Sequence, residues 1–380
     1  SLFFNNAHGA TFNFGQWRWF DGVATTLDTT ADGYFKYTPP TDFLAFHQDN
    51  LPENTAGITG LSWIKNRDAT DFNIWFDRAR GIYNYLRSSG GGSSGYANQV
   101  TNTNSVQRFL QQGVQVGNMN EVNTVSESYV LWNWANAGEA TPNTDGTVTS
   151  GSSVIVNDDA KFSIVTYTGQ NSAMTVGHGL DAKPDFIILK GYTRPSGGTA
   201  GWYVYHSSLG ATYAIWLDLT SAAYNWEYYG DVEPTADVFS VGWGSGNTGM
   251  NASGDSYLAY CWAGVEGYSK FGSYTGNGNA EGPFIYLGFR PSLVIMKRSD
   301  AVEGWTMFDS ARDPYNVVNN QLQPNTDNAE SGSGYLDIVS NGIKLRSTSG
   351  ATNTDNGTYI YAAWAENPFG GSGVGQARAR

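Results

Sequence analysis

Cysteine is nearly missing from this chain: Cys261 is the only one in 380 residues. No intrachain disulfide can therefore form, and burial alone must hold the fold. Charge is also scarce, at 14% of residues, and the basic share is the smaller one, with 21 Lys and Arg against 34 Asp and Glu and a net charge of −13. That balance argues against non-specific binding to nucleic acid or to an anionic lipid surface. No apolar run approaches the roughly 20 residues of a membrane-spanning helix. Histidine is rare, and His8, His47, His178 and His206 do not pair at metal-ligand spacing, so with a single cysteine a zinc site is not expected, and no metal or cofactor is assigned. There is no Gly-x-Ser-x-Gly elbow and no Walker-type loop; Gly244-Ser245-Gly246 is an isolated glycine pair without the surrounding context. Ser1-Leu2-Phe3-Phe4 lacks the basic and apolar regions of a signal peptide.

Aromatic residues (14%) and glycine (47 residues) are plentiful, which gives enough apolar material for a core and rules out wholesale disorder. The aromatics recur in order. Tyr129-Val-Leu-Trp-Asn-Trp134-Ala135 matches Tyr257-Leu-Ala-Tyr-Cys-Trp262-Ala263 and Tyr359-Ile-Tyr-Ala-Ala-Trp364-Ala365, with Tyr five residues before Trp each time. Upstream, Leu61-Ser-Trp-Ile-Lys65 matches Phe186-Ile-Ile-Leu-Lys190 and Leu293-Val-Ile-Met-Lys297, and the Lys-to-Trp separations are 69, 72 and 67 residues. Between these lie Trp75-Phe76-Asp77 with Arg80, Tyr205-His206 with Gly210, and Phe308-Asp309 with Arg312. Ordered landmarks at near-constant spacing identify three copies of one unit. A further landmark opens two of them: Phe162-Ser-Ile-Val-Thr-Tyr167-Thr168-Gly169 and Phe271-Gly-Ser-Tyr274-Thr275-Gly276.

The organisation expected is a leading segment 1–41, repeats at 42–140, 141–268 and 269–370, and a Gly-rich tail at 371–380. The stretch 138–159 reads as a connector with one edge strand. Each copy reads as β. Phe186 to Leu189 is a short continuous apolar run bounded by Pro184 and Gly191, the pattern of a strand buried on both faces, and Gly, Asn and Ser clusters separate such runs. The fold class expected is all-β, with tandem antiparallel sandwiches or jelly-roll-like units. The signature Tyr129, Trp134, Tyr257, Trp262, Tyr359 and Trp364 are then core aromatics, the repeated lysines cap strand ends and snorkel to water, and Asp77–Arg80 and Asp309–Arg312 are local ion pairs or turn formers.

These strings, together with Glu266-Gly-Tyr-Ser-Lys-Phe-Gly-Ser-Tyr-Thr-Gly276 and the ending Gln376-Ala-Arg-Ala-Arg380, resemble a repeat domain of tailed-bacteriophage virion proteins, frequent in phages of marine bacteria and cyanobacteria. Thr11-Phe-Asn-Phe-Gly-Gln16 resembles the closing strand of an upstream lectin-like (SPRY-type) sandwich, so the chain is expected to be the C-terminal part of a longer polypeptide. The resemblance implies a virion surface or tail-fibre component, structural and adhesive, associating with other virion subunits and with itself, a trimer being favoured. It supplies no catalytic residues. An envelope polysaccharide depolymerase and a capsid decoration protein are the alternatives, and a cellular adhesin is a weaker one.

A depolymerase would need two carboxylates about 5–10 Å apart across a groove; Asp158, Asp159, Asp231, Glu233 and Asp255 are the loop carboxylates available. Asn353-Thr-Asp355-Asn-Gly357 and Asn157-Asp158-Asp159 offer oxygen ligands without a full calcium-loop spacing. Asn251-Ala-Ser253 and Asn356-Gly-Thr358 are sequons that read as turns ahead of the signature strands. The better lead is aromatic. Trp17, Trp19, Trp202, Trp226, Tyr228 and Tyr229 lie in or beside polar, Gly-rich stretches, where exposed rings can stack on sugar faces. Trp202, Trp226, Tyr228 and Tyr229 are the residues expected to bind a host-surface polysaccharide.

Overall fold

The computed structural model describes residues 58–89, 98–110, 113–148, 151–195, 201–242 and 248–365. The leading segment, with Thr11 to Gln16, Trp17 and Trp19, the start of the first repeat and the C-terminal tail lie outside the described residues.

The described fold is all-β with antiparallel pairing throughout. In the first copy β1 (Ile58–Asn66), β2 (Ile74–Asp77), β3 (Asn84–Arg87) and β4 (Val100–Thr101) pair in succession. β5 (Val106–Leu110) and β6 (Gly113–Val116) form a separate hairpin, and α1 (Asn120–Asn123) leads into β7 (Tyr129–Pro142), which returns to pair with β1. The second copy places β8 (Ser153–Asn157), β9 (Phe162–Thr168), β11 (Phe186–Thr193), β12 (Trp202–His206), β13 (Tyr213–Trp216), β14 (Tyr224–Asn225) and β16 (Ser256–Trp262) in one sheet. A two-stranded layer of β10 (Met174–Gly177) and β15 (Val238–Val241) accompanies it, and α2 (Thr248–Asn251) precedes β16. The third copy is a pair of four-stranded sheets. One holds β17 (Ser269–Thr275), β19 (Pro291–Arg298), β20 (Trp305–Asp309) and β24 (Thr358–Ala365); the other holds β18 (Phe284–Tyr286), β21 (Val318–Gln321), β22 (Ser331–Val339) and β23 (Gly342–Leu345). The short α3 (Gly350–Asn353) stands before β24.

The connector between the first two copies differs from its reading as an edge. β8 lies inside the sheet, paired with β7 on one side and β9 on the other, and so joins the first two copies into one twelve-stranded sheet. The opening strands also align two residues away from the sequence match. Trp262 faces Phe162 whereas Trp364 faces Ser269, so Phe271 corresponds to Ile164 and only the Tyr-Thr-Gly ends coincide.

The repeated Tyr has a geometric explanation. Its hydroxyl accepts the backbone N–H five residues earlier in every copy: Thr124 to Tyr129, Ala252 to Tyr257 and Thr354 to Tyr359, each at 2.8 Å. In the first and third copies the same hydroxyl donates to Asn120 O and Gly350 O, each at 2.7 Å, so it bridges the N–H and the carbonyl that another helical turn would have joined. The opening Tyr stacks on it, Tyr167 on Tyr257 at 5.1 Å and Tyr274 on Tyr359 at 4.9 Å. Gly169 and Gly276 follow because the same turn passes against them: an added Cβ would sit 2.2 Å from Ala252 O or Thr354 O.

The repeated Trp converges on a shared core. Trp134, Trp262 and Trp364 contact one another edge-to-face, with centroids 5.7, 5.3 and 5.7 Å apart for the 134–262, 134–364 and 262–364 pairs. One contiguous cluster contains them together with Leu61 and Trp63, Phe186 and Ile188, and Leu293 and Ile295, the matching inward residues of β1, β11 and β19. The alternate residues of those strands, such as Ile64, Leu189 and Met296, face three separate outer cores. Each central strand is thus buried on both faces, as its apolar run requires.

The three copies meet head to tail. Trp202 Nε1 of the second donates to Arg87 O of the first at 2.8 Å, and Trp305 Nε1 of the third to Trp216 O of the second at 2.8 Å. Asn73 Nδ2 of the first closes the ring on Gln323 O of the third at 3.0 Å. β3, β13 and the segment just after β21 carry the acceptors in turn. This is a heterologous contact that closes after three steps.

Candidate functional site

Exposed rings are gathered at the β13–β14 end of the twelve-stranded sheet. β14 continues extended through Trp226, so Tyr224 and Trp226 fall on one side of the strand, with centroids 5.6 Å apart. Tyr228 extends the row, stacked on Trp226 at 6.1 Å. Tyr224 is 52% exposed, Trp226 36%, and Tyr213, whose neighbour across the pair is Asn225, 40%. The row is anchored on the core side, where Tyr228 meets Tyr203 at 4.7 Å and Trp216 edge-on at 5.9 Å. Asn225 and Glu227, both exposed, alternate with the rings in sequence.

Of the four aromatics expected to bind, Trp226 and Tyr228 belong to this row. Trp202 and Tyr229 do not: both are buried, Trp202 in the shared core and Tyr229 in the outer core of the second copy. Their polar neighbours in sequence misled because strand β12 and the turn at 227–229 carry them inward. Tyr224 was missed, although the Tyr224-Asn-Trp226-Glu-Tyr228 alternation carries the signal, and Tyr213, paired with Asn225, lies on the other side of the strands.

The repeated polar residues are buried rather than snorkelling. Lys65, Lys190 and Lys297 lie within the fold, and burial pushes all three ammonium groups down to about 8. Lys65 Nζ donates to Asn66 O and reaches Asp327 O of the third copy, and Lys297 Nζ donates to Arg298 O and reaches Thr220 O of the second. Asp77 and Asp309 pair with Arg80 and Arg312 with both partners buried, and each also takes a hydrogen bond from the next copy, from Tyr260 OH and Trp132 Nε1 respectively. At the matching place His206 Nε2 faces Tyr361 O at 3.0 Å, and burial lowers that imidazole to about 4. These groups join repeats and face no solvent.

The loop carboxylates are committed separately. Asp255 is buried against Arg194 at 2.8 Å. Glu233 takes Lys183, Tyr205 and the Ala211 N–H; partial burial opposes its charge, but these bonds hold it below the usual carboxylate range. Asp158 and Asp159 sit exposed on the turn before Lys161, and Asp231 is exposed. Among the described residues no group of three or more His, Cys, Asp or Glu is placed to hold a metal ion, and no helix is long and apolar enough to cross a membrane. Asn251, the last residue of α2, is buried, its amide spent on Gln170 N and Ser172 O of the turn after β9. Asn353 serves the third copy in the same way, binding Asn277 N and Asn279 O.

Residues 53–368 match the family described as Domain of unknown function (DUF7483). The chain belongs to the DUF7483 family. The DUF7483 match takes in all the described residues of the three copies, so the family unit is the closed set of three and not the single repeat. No curated protein and no solved structure matches the chain.

Proposed function

We propose that this DUF7483 chain is a non-catalytic adhesive component of a bacteriophage virion surface or tail fibre, and that it recognises host-surface glycan through the row Tyr224–Trp226–Tyr228. The exposed aromatic row on a rigid scaffold carries the reading. The exposed Tyr224 and Trp226 rings, 5.6 Å apart and backed by the partly buried Tyr228 at 6.1 Å, offer apolar surface on which pyranose rings can stack, and side chains with few rotors bind at low entropic cost. The placement of the rings on the closed three-repeat core means that they are held before ligand arrives. The resemblance of the Tyr-x-x-x-x-Trp and Tyr-Thr-Gly strings to virion repeats supports the setting, and the acidic composition keeps such a surface from binding nucleic acid.

The test is binding of the purified chain to envelope polysaccharide from candidate host cells, with Trp226→Ala and Tyr224→Ala beside wild type. Wild type should bind in a saturable way and both variants should lose at least about tenfold, the scale of one lost stacking contact. Equal binding by wild type and variants would remove the aromatic row from the reading. Release of soluble sugar during the assay would replace adhesion with depolymerisation.

A further inference from the structure

The second and third copies share an opening strand but differ at its outer edge. In the second, β8 lies along β9, Ile155 beside Ile164 and Asn157 beside Phe162. The chain has 27 residues between Trp134 and Phe162 in which to build that strand, but only 6 between Trp262 and Ser269. Among the described residues β17 is consequently the last strand of its sheet. Where β8 would lie there is a pocket of about 640 Å³, formed by the 264–269 turn, β17, the end of β18 and Asp185 from the second copy.

The lining of this pocket has two chemical characters. Tyr286 presents an exposed ring, 59% accessible, and Lys270 is drawn over it, its Nζ 5.0 Å from the centroid and donating to Tyr286 O at 2.9 Å. Opposite are carboxylates. Asp185 Oδ2 accepts Gly264 N at 2.9 Å, which fixes its plane, and Glu266 stands exposed on the turn. Glycine stands at 264 and 288 on the walls, with the Gly264 N–H spent on Asp185 Oδ2 and the Gly288 N–H on Asn341 O. A Cβ at Gly264 would lie 3.2 Å from Asp185 Oδ2, and Gly288, at φ +88°, takes a conformation that side chains disfavour. The floor is Phe271, stacked on Phe186 at 5.6 Å and edge-on to Trp364 at 5.6 Å.

A bare strand edge invites pairing with another chain, but Lys270 on that edge and Gly272 within it are the features that discourage strand addition. What remains is the exposed Tyr286 ring, carboxylate acceptors and an ammonium donor. That set suits a ligand with an apolar face and a rim of hydroxyls. We infer that this pocket is a saccharide-binding site for a neutral hexose residue, separate from the aromatic row and formed only where the second copy meets the third. It stands whether or not the row binds glycan.

The experiment titrates the full chain with neutral glucose-, galactose- and mannose-containing hexasaccharides, with a sulfated hexasaccharide, and with a ten-residue alternating Val/Thr peptide, read by ligand-observed magnetic resonance and by tryptophan fluorescence. Tyr286→Ala and Asp185→Asn test the pocket, Trp226→Ala tests the row, and circular dichroism confirms folding of each. The expected result is saturable binding of at least one neutral hexasaccharide, weakened at least tenfold by Tyr286→Ala and by Asp185→Asn and unchanged by Trp226→Ala. Three results overturn it: no neutral hexasaccharide binds; binding is lost only in Trp226→Ala, which assigns it to the row; or the peptide or the sulfated sugar alone binds through Tyr286, which makes the pocket a strand or anion site.

Discussion

The Tyr260 hydroxyl donates to Asp77 Oδ2 at 2.8 Å, across 183 positions of sequence and between two copies of the repeat. Asp77 is already paired with Arg80, whose Nε lies 2.6 Å from the same oxygen, and all three side chains are buried. A buried ion pair depends on such additional bonds to offset desolvation. Tyr260→Phe should therefore lower stability by about 1.5–3 kcal/mol, the range for a hydrogen bond to a charged group. Asp77→Ala should cost about 3–5 kcal/mol, because Arg80 is left uncompensated. Urea unfolding checks both; equal losses would mean that the hydroxyl and not the ion pair dominates.

Trp364→Ala removes one member of the central triad and should cost about 3–5 kcal/mol. Because Trp134 and Trp262 both touch it, the loss should spread. Hydrogen exchange should speed up in β1 and β11 as well as β19. Acceleration confined to the third copy would show that the copies are energetically independent.

Gly169→Ala and Gly276→Ala each place a Cβ 2.2 Å from a carbonyl oxygen of the neighbouring turn. Backbone must move in both cases, and the expected cost is about 1–3 kcal/mol. Gly138 has no atom within 4 Å of an added Cβ, so Gly138→Ala reports the cost of its positive φ alone. Thermal melts of the three variants, ranked, test the assignment; Gly138→Ala as the worst would contradict it.

Lys65, Lys190 and Lys297 titrate near 8 when folded because burial disfavours their charge, against roughly 10.4 in an unfolded chain. Between those values the unfolded state holds more protons, so stability rises with pH, by at most about 1.4 kcal/mol per pH unit for each lysine. Above about 10 the order reverses, because burial raises phenols such as Tyr167, Tyr229 and Tyr274 and the unfolded state then loses protons first. Urea midpoints should climb from pH 8 to about 10 and fall beyond it, and Lys190→Met should flatten the climb. A flat or falling profile from pH 8 to 10 would contradict the burial of these lysines as charged groups.

The Tyr-x-x-x-x-Trp spacing was legible because two demands fall on one strand: the Tyr ties down the preceding turn and the Trp reaches the shared core. Both are local enough to recur in order. What lay hidden depends on which face another copy covers. The strand ending at Lys190 reads as finishing in water, yet the first copy's Arg87 carbonyl and the Trp202 indole meet beside it. Trp202 follows Gly201 and reads as a loop aromatic for the same reason. Trp226 was legible as an exposed ring, because nothing distant is needed to leave a ring uncovered, whereas Tyr228 is partly buried against the second copy's outer core. The pocket at Asp185 was not, since it arises from a connector that is short relative to its counterpart.

The head-to-tail contacts return to their starting point after the third copy, through Asn73 on Gln323 and Arg67 on Glu330. A stack of modules can gain or lose members at its ends, whereas a closed ring has none. A fourth copy would find no vacant donor or acceptor face, and a set of two would expose the central tryptophans to water. Copy number here is set by the closure of the ring, so a single further copy has no open face within it to join.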